Sequence, residues 1–226
     1  MENLGRRVDL HIHSLLSDGD LLPSEIFRRA EALNFEAIAI TDHVDSSNID
    51  SVVAKLIKAS EELGKYFKNT KLIPGVELTH IPSNSIDKLA NKARKLGAKL
   101  VLVHGETIVE PVEAGTNHKA VESDKVNILA HPGLISKEDA KLAKEKGIYL
   151  ELSSRAGHCL TNGHIVRMSE KTGAKLLVNT DSHEPEDFIS QGEAFKVAIG
   201  AGSDKKDAIK IVKENTREIL KKIDRK

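Results

Sequence analysis

Short apolar runs alternate with amphipathic stretches along the whole chain. The runs Val8–His13, Ala37–Thr41, Lys71–Glu77, Lys99–His104, Val126–His131, Ile148–Leu152 and Lys175–Thr180 predict strands. They are near-continuous in Val, Ile, Leu and Ala, as suits parallel strands covered by helices. Between them, 3.6-residue periodicity predicts helices over Pro23–Asn34, Ile49–Lys68, Ile86–Leu96 and Lys137–Lys146, and two closing helices over Phe188–Ala201 and Asp204–Lys222. Gly97, Gly147 and Gly173 each stand between a helical pattern and the next strand, where a left-handed glycine ends a helix. About seven βα units follow one another with no linker or composition break, which predicts one α/β domain over residues 1–226. No Gly-x-Gly-x-x-Gly follows the first strand, so a barrel is favoured over a dinucleotide-binding sheet.

Composition narrows the class. Lys plus Arg equals Asp plus Glu at 34 each, without the basic surplus usual in nucleic-acid binders. The single cysteine, Cys159, excludes an intramolecular disulfide and a Cys-based zinc site. The polar N-terminus does not read as a secretory signal and no run spans a membrane, so a cytoplasmic protein is expected.

The chemistry gathers at strand ends. His11 and His13 fall on one face of the first strand, with Leu10 and Ile12 expected on the other. Asp18 lies in the turn that follows. Asp42-His43, Glu77, His104, His131 and Asp181-Ser-His183 end later strands. A lone histidine at a strand end is more often structural, but six strand ends supplying such residues point to one site on the C-terminal face of a barrel. His and carboxylate ligands without thiolate suit Zn, Mn or Fe. Nine candidates are too many for one ion, so two or three divalent ions are expected, with Glu77 the natural bridge. Asp42 is expected to orient a histidine instead of touching an ion.

The ordered set Asp-Leu-His-Ile-His-Ser, Ser-Asp-Gly, Ile-Thr-Asp-His, Gly-Val-Glu, the strand-ending His104, Ala-His-Pro-Gly and Asp-Ser-His resembles the PHP (polymerase and histidinol phosphatase) family from Asp9 to Asn215. The resemblance implies a distorted (βα)7 TIM-like barrel that hydrolyses phosphate esters at a trinuclear site; clustered divalent ions acidify bound water, so attack by metal-bound hydroxide is the expected chemistry. It implies that His11, His13, Glu77 and Asp181 hold one ion, that Glu77 bridges to a second completed by His104 and His131, and that Asp18, His43 and His183 hold the third. All nine positions are filled, which disfavours a non-catalytic accessory domain and an archaeal ribonuclease P protein of this fold.

His11, His13, Glu77, Asp181 and His183 are the residues expected to carry the reaction. Arg155, after the sixth strand, is expected to bind phosphate, and His158 to contact substrate, with His164 either beside it or capping a helix. Residues 106–118 form a candidate lid. His80 and His118 have no assigned role, and Glu151 is a strand-end carboxylate without a ligand role in the family. The expected substrate is a small phosphomonoester, with histidinol phosphate the obvious family candidate, although the chain is short for such a phosphatase. A nuclease of the same family is the alternative, and an amidohydrolase is less favoured because His104 stands where such enzymes commonly place a modified lysine.

Overall fold

The computed structural model describes residues 3–67 and 69–224. The strands are β1 (Val8–Asp9), β2 (Ala37–Ile40), β3 (His43–Val44), β4 (Lys71–Leu78), β5 (Leu100–His104), β6 (Ile128–Ala130), β7 (Tyr149–Ser153) and β8 (Leu176–Asn179). They pair in parallel in the order β1-β2-β4-β5-β6-β7-β8, and β3 continues the β2 path against β4 after a break at Thr41–Asp42. The last strand returns to the first: Asp181 N donates to His11 O at 2.9 Å and His13 N to Ser182 O at 2.8 Å. The result is a nearly closed, distorted (βα)7 barrel of the TIM type.

The helices are α1 (Pro23–Ala32), α2 (Ile49–Tyr66), α3 (Ile86–Leu96), α4 (Thr116–Glu122), α5 (Lys137–Lys146), α6 (Asn162–Thr172), α7 (Gln191–Gly200), α8 (Lys205–Ile209) and α9 (Thr216–Asp224). The predicted second helix ran to Lys68, which lies outside the described residues. The predicted closing helix is interrupted by a π turn over Lys210–Asn215, between α8 and α9. Gly97, Gly147 and Gly173 all adopt positive φ at helix ends.

Strand periodicity explains where the site lies. Ile38, Ile40, Val101 and Val103 pack outward with helix residues such as Ile26, Val52 and Ala90. Their neighbours Ala37, Ala39, Leu100 and Leu102 join Ile73, Ile128, Tyr149 and Leu177 in an inner cluster, closed below by Ile219 and Ile223 of α9. Continuing along that inner face toward the C-terminal ends, the side chains turn polar. Ile73 leads by twos to Glu77, Leu102 to His104, Tyr149 to Glu151, and Leu177 to Asn179 and Asp181. One alternating pattern therefore supplies an apolar floor and a ligand-bearing mouth.

β1 departs from the predicted strand. Regular pairing stops at Asp9, and Leu10 N donates to the Asn179 side chain at 3.0 Å instead of to a neighbouring strand. Leu10 consequently joins the inner cluster while Ile12 packs outward, so they do not share a face as expected.

Candidate metal centre

Glu77, fully buried, is the hub. Its Oε1 lies 3.3 Å from His11 Nε2 and 3.5 Å from His131 Nε2; its Oε2 lies 2.8 Å from His43 Nδ1 and 3.6 Å from His13 Nε2. Asp181 approaches the same rings, 3.1 Å from His13 Nε2 and 3.5 Å from His11 Nε2. A second wall joins Asp18 to His43 at 3.4 Å and to His183 at 3.3 Å. His104 closes a third group with Glu77 and His131. All nine sequence candidates thus converge on one mouth, in overlapping groups whose ligand atoms lie within 4.8 Å of one another.

The backbone holds this geometry under strain. His131 and Asp181 sit at φ 27° and 55°, a left-handed region that residues other than glycine rarely enter away from functional sites. Gly133, two residues after His131, has φ 58°, and a Cβ there would stand 1.8 Å from Glu106 O. Only glycine lets the Ala-His-Pro-Gly turn lie against the start of the 106–118 segment.

Within the cluster, His11 Nε2, both His13 ring nitrogens and Glu77 Oε1 are buried without a hydrogen-bond partner among the described residues. Leaving such atoms unpaired costs roughly 1–3 kcal/mol each. These unpartnered histidine nitrogens and the carboxylate oxygen, with no sulfur among them, are donor types that suit divalent Zn, Mn or Fe.

The metal-free electrostatics are polarised. Burial opposes the charged form of His43, yet Glu77 and Asp18 push it up to about 10. Burial likewise works against His11, but Glu151, Glu77 and Asp181 raise it. Burial and the His43 charge push His13 down to about 3, and burial with His131 pushes His158 down to about 4. Burial works against ionised Glu77, but His11 and His43 hold its carboxyl below the usual range.

The metal-free protein is therefore expected to be most stable near pH 6.5. Stability from charged His43, His11 and His131 is complete below 6.5 and is lost as pH rises, for His43 through about 10. Stability from neutral His13 and His158 is complete above 6.5 and is lost as pH falls toward about 3 and 4. Thermal melts of chelator-treated protein across this range check the sign. A melting temperature that climbs steadily above pH 7 would contradict it.

Arg155 NH1 lies 2.8 Å from His183 Nδ1 and donates to Asp181 O at 3.1 Å. His158 stacks on His131 at 4.2 Å and meets Thr107 Oγ1 at 2.8 Å. Both line a cavity of about 370 Å³ over the cluster. His164 instead donates to Ile135 O at 2.8 Å, neither capping α6 nor lining the cavity. His118 pairs with Asp139 on the outside of the molecule.

The structure changes the expectations for Asp42 and His80 and adds Glu110. Asp42 orients no histidine: its carboxylate accepts Ser14 N at 2.7 Å, Ser14 Oγ at 2.8 Å and Ser17 Oγ at 2.7 Å, and so fixes the turn that carries Asp18. His80, which the sequence leaves without a role, lines the cavity, 3.2 Å from Glu110. Glu110 was missed. It reaches in from the 106–118 segment to 3.1 Å from His104 Nε2 and 3.2 Å from His158 Nε2, and the bond from His104 holds its carboxyl down at about 2. Nothing in Ile-Val-Glu-Pro marks it, because a loop has no fixed period. The same segment runs into α4.

Residues 9–106 match the PHP domain model. An uncharacterized protein of Methanocaldococcus jannaschii is 50% identical over 217 residues, 96% of this chain and 100% of that protein. The chain belongs to the PHP family. Its members are metal-dependent phosphoesterases. The PHP chain is also 26% identical over 196 residues, 79% of its length, to the DNA polymerase/3'-5' exonuclease PolX of Bacillus subtilis, of which it spans 34%. In fold it is similar to a chain of archaeal ribonuclease P solved with mature tRNA (TM-score 0.71, 18% identity, 97% of this chain and 92% of that one). It is likewise similar to the histidinol phosphate phosphatase of Lactococcus lactis solved with zinc, L-histidinol and phosphate (TM-score 0.56, 16% identity, 96% and 94%). Among the described residues, no helix is long and apolar enough to cross a membrane.

Proposed function

We propose that this PHP protein hydrolyses a phosphate monoester on a small molecule, at two or three divalent ions held by the nine converging residues. His11, His13, Glu77 and Asp181 would surround one ion, Glu77, His104 and His131 a second, and Asp18, His43 and His183 a third. Such ions lower the pKa of water from ~15.7 toward ~7 and take up charge on phosphoryl oxygens. The protein's part is to hold ligands and substrate. Asp42 fixes the Asp18 turn, and Arg155 and His158 present donors into the cavity.

The observation that carries the monoester reading is the composition of that cavity. Among the described residues, Arg155 is the one Lys or Arg lining it, Asp45 and Glu110 line it as well, and no Phe or Tyr does. One cation suits one phosphate group, whereas a polynucleotide track usually needs a basic groove and stacking rings. The PolX likeness favours a second reading, phosphodiester cleavage in nucleic acid.

Turnover of p-nitrophenyl phosphate, bis-p-nitrophenyl phosphate, histidinol phosphate and a short oligonucleotide, with Mn or Zn added, separates the two. The monoesters should have the highest kcat/KM, and preference for the diester or the oligonucleotide would overturn the proposal. Arg155→Ala is expected to raise KM by about 10–100-fold, the equivalent of a charge-assisted hydrogen bond of roughly 1.5–3 kcal/mol. An unchanged KM would remove Arg155 from the substrate.

A further inference from the structure

Glu151 is fully buried at the mouth of the barrel and belongs to none of the three ligand groups. Its carboxylate nevertheless touches two of the candidate ligands. Oε2 lies 2.8 Å from His11 Nδ1, and Oε1 accepts the His131 backbone N–H at 3.3 Å. Oε2 also accepts Asn179 Nδ2 at 2.9 Å. Asn179 cannot turn its amide over without loss, because its Oδ1 accepts Leu10 N at 3.0 Å. Every group around the carboxylate is therefore a donor by its own constraints, or, at His11, is left to become one.

From this arrangement we infer that Glu151 is a positioning residue for two ligands on different strands. This rests on the ion-binding reading above. A carboxylate offers only acceptors, so the ring nitrogen facing it carries a proton. His11 Nδ1 is thereby kept as the N–H, so the proton that an ion displaces is the one on Nε2, whose lone pair then faces the centre. That Nε2 is the atom without a hydrogen-bond partner, 3.3 Å from Glu77 and 3.5 Å from Asp181. The same carboxylate pins the backbone of His131 at its φ of 27°, a conformation that an unanchored chain would leave. β7 thus supplies no ligand but sets the ring state of one and the backbone of another. Outer groups of this kind typically tune ion affinity by about 10–100-fold.

Glu151→Gln keeps the shape but presents an amide with one acceptor to three donors. Two readouts test the inference: affinity for Zn2+ or Mn2+ by competition with a chromophoric chelator, and 15N-histidine NMR of the ring nitrogens. In the wild type, His11 Nδ1 should carry a slowly exchanging proton. In the variant that signal should shift or vanish, and affinity should fall by about 10–100-fold. A variant that binds within twofold of wild type with the signal unmoved overturns the inference. So does a wild-type spectrum with Nδ1 bare, a result that does not depend on the variant folding. If the wild type binds no ion, the ligand reading fails, while the Nδ1 proton and its response to Glu151→Gln still decide the positioning role.

Discussion

Glu77→Ala is expected to lower phosphoester hydrolysis by at least about 10³-fold, a barrier increase of about 4 kcal/mol. The size of the loss follows from how many groups meet on one carboxylate. Its two oxygens face His11, His13, His43 and His131, all within 3.6 Å. Removing it deletes the proposed bridge between two ion positions and withdraws the charge that balances His11 and His43. Glu77→Gln should lose nearly as much, because the amide keeps the volume but not the charge or the second acceptor. Ion content should fall together with activity. Either variant retaining a tenth of wild-type kcat/KM would show that Glu77 lies outside the reaction centre.

The second large effect is on the whole molecule. Exhaustive chelation should abolish turnover and lower the melting temperature, and adding back Mn or Zn should restore both. An ion binding only the folded state at 100 times its Kd adds about 2.7 kcal/mol per site. At about 2–4 °C per kcal/mol for a chain of this size, each filled site should raise the melting point by about 5–10 °C. The gain should be larger at neutral and alkaline pH than at pH 5, because ions must displace protons from rings that the surrounding carboxylates keep charged. Calorimetry with and without metal measures it. Identical melting curves would mean that the cluster is a self-satisfied polar core.

Periodicity made most of this legible in the sequence. Apolar runs mark all the strands except β3, and α3 and α5 fall on their predicted bounds, Ile86–Leu96 and Lys137–Lys146. The nine converging residues were readable because ligand chemistry recurs at strand ends, where the fold itself brings them together. What escaped was set by contacts between segments far apart in sequence. Asp42 was given a histidine partner, but its turn faces Ser14 and Ser17, on a loop nearly thirty residues earlier. Glu151 looked like an unused strand-end carboxylate until β7 came to lie between β6 and β8, against His131 and Asn179. Glu110 enters the cavity from a loop, beside His104 and His158, which lie on other segments. The break in β1 after Asp9 likewise depends on Asn179 capturing Leu10 N, which no local pattern announces.

Counting ions on the purified protein tests the central claim most directly. Protein isolated without chelators and analysed by elemental mass spectrometry should carry two to three equivalents of Zn, Mn or Fe per chain, reduced sharply by Glu77→Ala. Less than one equivalent, unchanged when metal is supplied during purification and no different in the variant, would contradict a metal centre built on these nine residues.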